Sequence, residues 1–237
     1  MELIPAIMPR SFSELREALE TISGLAETVQ IDVMDGIFVP EKSWPYTDGD
    51  YEGFLTLAEG RDSFPQHETV DFEADLMVAN PEEEILKWIR AGARRVIVHY
   101  ESTASFERII SLFKDRMHEK ELADAYSKPI ELGVALDIKT PNELLDPWMR
   151  DVNFVQCMGI AKIGYQGQPF DERVIEKVRD FRERYPACTI SVDGGVSLET
   201  APRLIVAGAN RLVAGSAIWE SEDLEETIEM FRELAQK

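Results

Sequence analysis

The chain has few cysteines and no long apolar run, and both shortages exclude classes of protein. Its two cysteines, Cys157 and Cys188, show no metal-binding or redox spacing and lie in or beside predicted strands, so we expect reduced thiols. No apolar stretch approaches the roughly 20 residues that cross a bilayer, and the N-terminus lacks a signal pattern. We therefore expect no membrane association and a cytoplasmic location.

The chain is also poor in basic residues. Its 25 Lys and Arg against 45 Asp and Glu give a net charge of −20. This charge disfavours nucleic acid and anionic membrane surfaces as partners. It does not exclude a phosphorylated small molecule, because backbone N–H groups at helix N-termini bind phosphate locally.

Strand-like and helix-like patterns alternate from end to end, and no linker-like composition divides the 237 residues. The pattern predicts one α/β domain over residues 1–237, a single-domain (β/α)8 TIM barrel. A doubly wound sheet is the alternative, but it would normally carry a glycine-rich fingerprint after its first strand, and Pro5 to Pro9 contain no glycine. The eight predicted strands span residues 3–8, 29–34, 72–78, 95–99, 130–136, 154–160, 189–193 and 211–214.

A long polar and aromatic segment at about residues 38–69 lies between the second and third predicted strands. Its length and its aromatic residues indicate a partial lid or an oligomer contact. A loop folded over its own barrel is an equally good interpretation. A homo-oligomer is therefore one open possibility.

Two carboxylates follow core strands. Asp32 lies near the end of the second strand and Asp193 ends the seventh, where a barrel builds its site. Converging on one pocket, they could act as a base and an acid on opposite faces of a small molecule. The alternative is that each merely caps a turn or a helix.

Glycine-bearing loops follow the last three strands: Gly167 after the sixth, Gly194 and Gly195 after the seventh, and Gly215 with Ser216 after the eighth. Glycine lets the backbone approach an anion closely, and barrels often hold phosphate after strands seven and eight. We expect a phosphate site there, although each glycine alone is also typical of a simple turn.

These segments together resemble the ribulose-phosphate 3-epimerase family, in order and over nearly the whole chain. The matching stretches are 31–40 (IDVMDGIFVP), 76–78 (LMV), 99–101 (HYE), 167–170 (GQPF), 192–196 (VDGGV) and 214–218 (AGSAI). The resemblance implies a (β/α)8 barrel acting on a pentulose 5-phosphate, with Asp32 and Asp193 exchanging protons at C3 and a divalent metal holding the enediolate. It also implies that Met34, Met77 and Met158 line the reactive centre.

The departures from the family pattern fall on the metal ligands, since Gln30 and Asp75 stand where the family has histidines. Gln30, Asp32, Asp75 and Asp193 form an all-oxygen set, which suits Mg²⁺ or Mn²⁺ better than Zn²⁺. A metal-free acid–base site is the alternative, with Lys162 as a positive partner if its loop folds inward. His99 is the histidine expected to reach the pocket.

Two classes of function remain open at this point. The first is an isomerase that acts on a phosphorylated keto-sugar through an enediolate, with related aldol or decarboxylation chemistry as a variant. The second is a non-catalytic sugar-phosphate-binding relative that kept the phosphate loops and lost the metal. In both, the expected partner is a small-molecule sugar phosphate.

Overall fold

We analysed a computed structural model of the chain, which describes residues 1–47, 49–117, 129–165 and 167–234. Its strands pair in parallel and follow one another in chain order around a closed barrel, which confirms the predicted (β/α)8 fold. Each strand lies within two residues of its predicted bounds. They are β1 (Glu2–Ile7), β2 (Thr28–Met34), β3 (Asp71–Met77), β4 (Arg95–His99), β5 (Glu131–Leu136), β6 (Phe154–Met158), β7 (Thr189–Asp193) and β8 (Arg211–Ala214).

Helices alternate with the strands in the described residues. Ser11 caps the first by accepting a hydrogen bond from the Glu14 N–H, and Pro81 occupies the first turn of the third, as their sequences suggest. The sequence pattern predicts a helix near residues 141–145, but the chain forms only a 3₁₀ turn there, Asn142–Leu145. The α-helices are α1 (Phe12–Ile22), α2 (Tyr51–Ala58), α3 (Pro81–Arg90), α4 (Phe106–Met117), α5 (Arg173–Arg184), α6 (Ala201–Ala207), α7 (Ser216–Trp219) and α8 (Leu224–Leu234).

The sequence pattern predicts helices over about 105–118 and 224–235, and the last residue of each, His118 and Ala235, lies outside the described residues. The chain divides into two compact units. The N-terminal unit comprises Ile7–Gly133, and the C-terminal unit comprises Met1–Ala6 with Val134–Lys237.

In the N-terminal unit, β2 pairs with β3 and β3 with β4. All seven residues of β2 are buried, as expected for a parallel strand covered on both faces. The register places Asp32 beside Asp75 and Met34 beside Met77. The pairing therefore brings the chemically distinctive residues of β2 and β3 to the carboxyl ends of the two strands.

The long segment at 38–69 packs its aromatic residues into the N-terminal unit. Trp44 is 1% exposed, and its ring lies 5.6 Å from that of Phe54 and 5.7 Å from that of Trp88 on α3. The Tyr51 hydroxyl donates to Glu84 at 3.1 Å and accepts from the Lys87 ammonium at 2.8 Å. These contacts favour the interpretation of a segment folded over its own barrel.

In the C-terminal unit, β6 pairs with β7, β7 with β8, and β8 with β1. The register of β6 and β7 places Met158 beside Asp193. The Trp219 indole N–H at the end of α7 donates to the Ala6 carbonyl at 2.7 Å, which ties the loop after β8 to the end of β1.

Both cysteines are free thiols, as expected. Cys157 lies in β6, where burial raises the pKa of its thiol to about 12. Among the helices of the described residues, none has the length and apolar character that crossing a membrane would require.

Candidate active site

Two carboxylates meet at the ends of β2 and β3. Asp32 is 6% exposed and Asp75 is fully buried, and their register pairing brings carboxylate oxygens within 4.8 Å of each other. The Gln30 amide Nε2 donates to Asp32 Oδ1 at 2.8 Å. A buried carboxylate needs such donors or a cation, because burial without compensation disfavours its charged form.

His99 ends β4 next to this pair, as the sequence predicted. Its ring is buried, with Nε2 lying 3.1 Å from Asp75 Oδ1. The Phe38 ring, from the loop after β2, lies 5.6 Å from the imidazole. The Asp75 carboxylate is therefore flanked by an imidazole that is itself held against an aromatic ring.

Ser43 forms hydrogen bonds with the end of β2 and was not predicted from the sequence. This buried residue donates its hydroxyl to the Asp32 carbonyl at 2.6 Å and accepts from the Met34 N–H at 2.9 Å. Its own N–H donates to the Met34 carbonyl at 3.1 Å. Ser43 therefore holds the backbone that carries Asp32, and nothing in the local pattern around a serine signals such a contact.

The three methionines are all buried at strand ends: Met34 is 1%, Met77 3% and Met158 2% exposed. Met34 and Met77 are register partners in the N-terminal unit, whereas Met158 is the register partner of Asp193 in the C-terminal unit. Each of them thus lies within two residues, along or across the sheet, of a predicted site carboxylate.

Asp193 ends β7 and is half-buried. The Gln156 amide on β6 faces its Oδ2 at 3.5 Å, and the Ser191 hydroxyl donates to Gln156 Oε1 at 3.2 Å. Asp193, like Asp32, therefore has a buried glutamine amide beside it. The sequence analysis missed Gln156, although it lies two residues before Met158 and so faces the same side of β6.

The loops after β6 and β7 are packed closely. Gly195 has φ +67, and a side chain there would bring its Cβ to 2.7 Å from the Phe170 Cα. The Gly159 N–H donates to the Asp193 carbonyl at 2.6 Å. Glycine at 195 thus meets two demands at once, a left-handed backbone and a close approach to another chain segment.

The loop after β8 leads into α7, with Gly215 at its N-cap and Ser216 as the first helical residue. Within the described residues, the N–H groups of Gly195, Gly215 and Ser216 donate to no other protein atom. Gly167 lies in the loop after β6 with φ +67. Lys162, in the same loop, is exposed and so fits a solvated lysine.

The residues singled out by sequence therefore fall into two described groups. Gln30, Asp32, Asp75, Met34 and Met77 lie together at strand ends in the N-terminal unit. The C-terminal unit holds Asp193 and Met158 at strand ends, with Gly194, Gly195, Gly215 and Ser216 in the loops that follow β7 and β8. This arrangement, on a (β/α)8 barrel, is typical of enzymes that act on small phosphorylated substrates.

Comparison with known proteins identifies the family. Residues 2–219 match the model of the ribulose-phosphate 3 epimerase family. The ribulose-phosphate 3-epimerase of Schizosaccharomyces pombe is 32% identical over 237 residues, covering 100% of this chain and 94% of that protein. The corresponding Bacillus subtilis enzyme is 29% identical over 247 residues, covering 98% of each. The chain belongs to the ribulose-phosphate 3-epimerase family.

Family membership confirms the predictions of an enzyme, a carbohydrate epimerase, and of a sugar phosphate as its class of substrate. A solved structure of 3-keto-L-gulonate-6-phosphate decarboxylase from Vibrio cholerae superposes with a TM-score of 0.66. It covers 99% of this chain and 97% of its own at 14% identity, so the likeness shows the shared fold alone.

Proposed function

We propose that the protein interconverts D-ribulose 5-phosphate and D-xylulose 5-phosphate by inverting C3, with Asp32 and Asp193 as the proton-transferring groups. One observation carries the proposal: both aspartates lie at the carboxyl ends of barrel strands, and each has a buried glutamine amide beside its carboxylate. A protein that only bound its ligand would have no need for both carboxylates. Their shared arrangement therefore supports paired acid–base catalysis.

The chemistry requires one proton to leave C3 and another to arrive on the opposite face. The ionised carboxylate of one aspartate removes the C3 proton, leaving an enediolate, and the protonated carboxyl of the other delivers a proton to C3. The two aspartates end the turnover with their protonation states exchanged, so the reverse reaction uses the same groups in opposite roles. The Gln30 and Gln156 amides orient the two carboxylates.

Carboxylate oxygens suit a divalent cation. We propose that Asp32, Asp75 and Asp193 each give one oxygen to such a cation and that Gln30 completes the set through Oε1, since its Nε2 donates to Asp32. These hard oxygen donors favour Mg²⁺ or Mn²⁺ over Zn²⁺. When bound, such a cation stabilises negative charge developing on the substrate oxygens.

The phosphate group is proposed to bind at the loops after β7 and β8. The N–H groups of Gly195, Gly215 and Ser216 are open to an anion, and this region of the barrel often holds phosphate. Because these backbone donors are neutral groups with a local positive dipole, they can bind an anionic substrate although the protein has a net charge of −20. Gly194 and Gly167 contribute backbone that can approach the ligand closely.

The proposal is tested by incubating the protein with ribulose 5-phosphate in deuterated water, with and without Mg²⁺ or Mn²⁺, and following deuterium at C3. Asp32→Asn and Asp193→Asn keep the side-chain shape but remove the proton acceptor. Each should slow exchange by about 100- to 10,000-fold while sugar-phosphate binding is retained. Asp62→Asn, at an exposed aspartate whose carboxylate accepts from the Ser63 N–H, is the matched control and should retain parental exchange.

The outcome separates the alternatives. Exchange that leads to xylulose 5-phosphate supports the epimerase. Exchange at C3 without formation of xylulose 5-phosphate would favour aldol or decarboxylation chemistry on another sugar phosphate, with an enediolate as the shared intermediate. If no pentulose or hexulose phosphate acquires label above background, the protein is a sugar-phosphate-binding relative.

We also propose that both units work together as one barrel domain and that the protein is cytoplasmic, while a homo-oligomer stays a possibility raised by the sequence. The unbroken alternation of strands and helices supports the first proposal, and the composition supports the second. A single cooperative unfolding transition would support one domain, and fractionation of the source cells tests the location. Sedimentation velocity over a range of concentrations measures the oligomeric state.

A further inference from the structure

Among the described residues, only backbone N–H groups bind the carboxylate of Asp35, the first residue after β2. Its Oδ1 accepts from Ile37 at 2.8 Å and from Phe38 at 3.0 Å, and its Oδ2 accepts from Ala79 at 2.8 Å. Gly36 allows the tight turn by adopting φ +75. Asp35 therefore differs in role from Asp32, only three residues earlier, although both belong to one motif.

These hydrogen bonds join two loops that follow neighbouring strands. Ile37 and Phe38 lie in the loop after β2, whereas Ala79 lies just after β3, 44 residues from Asp35. The two strands carry Asp32 and Asp75, which are register partners. The Asp35 carboxylate thus links the ends of the two strands that carry Asp32 and Asp75.

A chain of side-chain contacts also connects Asp35 with the Asp75 carboxylate. The N–H of Phe38 is held by Asp35, its ring lies 5.6 Å from that of His99, and His99 Nε2 lies 3.1 Å from Asp75 Oδ1. Displacing the loop would move Phe38, and His99 would lose the ring that it packs against. The imidazole of His99 would then no longer be held in place beside the Asp75 carboxylate by the Phe38 ring.

We propose that Asp35 is a positioning residue for proton transfer at C3, which it serves by holding the loops after β2 and β3 together. The proposal rests on the proposed function. Asp35 touches neither the substrate nor a metal in this role and acts through Asp32 and Asp75. A misplacement of about 1 Å at a reacting group can lower a rate about 100-fold.

Asp35→Asn tests the proposal. The asparagine oxygen can still accept from Ile37 and Phe38, but its NH₂ group faces the Ala79 N–H, so the link between the loops is lost. Asp223→Asn is the matched control, because Asp223 also accepts from a backbone N–H, that of Glu226, at the start of α8. We expect kcat to fall about 10- to 100-fold in Asp35→Asn with KM changed less than about twofold, and Asp223→Asn to match the parent.

A second measurement separates positioning from partial unfolding. With substrate deuterated at C3, slower proton transfer should raise the primary isotope effect on kcat, whereas a smaller folded fraction would leave it unchanged. Faster amide exchange at Ala79 would show that the link has opened. An unchanged kcat, or a lowered kcat with an unchanged isotope effect, would overturn the positioning role of Asp35 and leave the proposed function standing. A parent that exchanges no C3 hydrogen would overturn the proposed function as well.

Discussion

Replacing Trp44 with alanine should strongly destabilise the N-terminal unit. The side chain is 1% exposed and its ring lies within 6.3 Å, centroid to centroid, of four other aromatic rings, those of Phe12, Phe54, Phe64 and Trp88. Three of these pairs are edge-on, an arrangement that stabilises aromatic pairs beyond the area they bury. The change removes all four contacts at once.

The magnitude follows from the loss of a large buried side chain and the cavity left behind. Truncating a buried phenylalanine or tryptophan to alanine typically costs about 3–5 kcal/mol of unfolding free energy. Rigid neighbours on several sides prevent the site from collapsing, so we expect the upper half of that range. Such a loss is a large fraction of the total stability of a typical protein, about 5–15 kcal/mol.

Urea unfolding followed by circular dichroism measures the change, with Trp148→Ala as the control. Trp148 is half-buried and lies outside the group of rings around Trp44, so its truncation should lower the unfolding free energy distinctly less. A mobile lid would respond differently, because removing its tryptophan would weaken substrate binding and leave the unfolding midpoint almost unchanged. A loss of less than about 1 kcal/mol in unfolding free energy for Trp44→Ala would therefore contradict the interpretation that the segment is packed against its own barrel. It would favour a mobile lid instead.

Three further results are expected. Gly215→Asp adds a carboxylate where the phosphate is proposed to bind, so calorimetry should show ribulose 5-phosphate affinity reduced at least about tenfold, and unchanged affinity would contradict the assignment. Asp75→Asn removes the charge from a proposed oxygen ligand, so direct titration with Mn²⁺ should show weaker binding than in the parent, and equal affinity would contradict the proposed role of Asp75 as a ligand. Cys157 should stay unlabelled by iodoacetamide at pH 8 in the folded protein, because the thiolate is the reactive form and burial raises the pKa of this thiol to about 12. Mass spectrometry of the native and the urea-unfolded protein checks this, and labelling of the native protein would be the contrary result.

Much of the barrel could be predicted because its signals are local. The second strand is a short run of apolar residues in which Gln30 and Asp32 alternate with them, and its prediction at 29–34 misses the observed β2 by one residue. The positions of Asp32 and Asp193 at strand ends follow directly from those runs. An acidic residue that ends such a run can be assigned to the carboxyl end of its own strand without knowledge of any contact.

Contacts between residues distant in the chain were decided only by tertiary structure. The motif at 31–36 contains two aspartates of equal appearance, and only the hydrogen bond from Ala79, 44 residues away, shows that Asp35 joins loops while Asp32 faces a glutamine amide. Gln156 was missed for the same reason, since a buried amide leaves no pattern in its neighbours. The segment at 38–69 allowed a lid or a packed loop until Trp44 was placed against Trp88 on α3. Hydrophobic periodicity reports which face of an element is buried, but not which distant residue it is buried against.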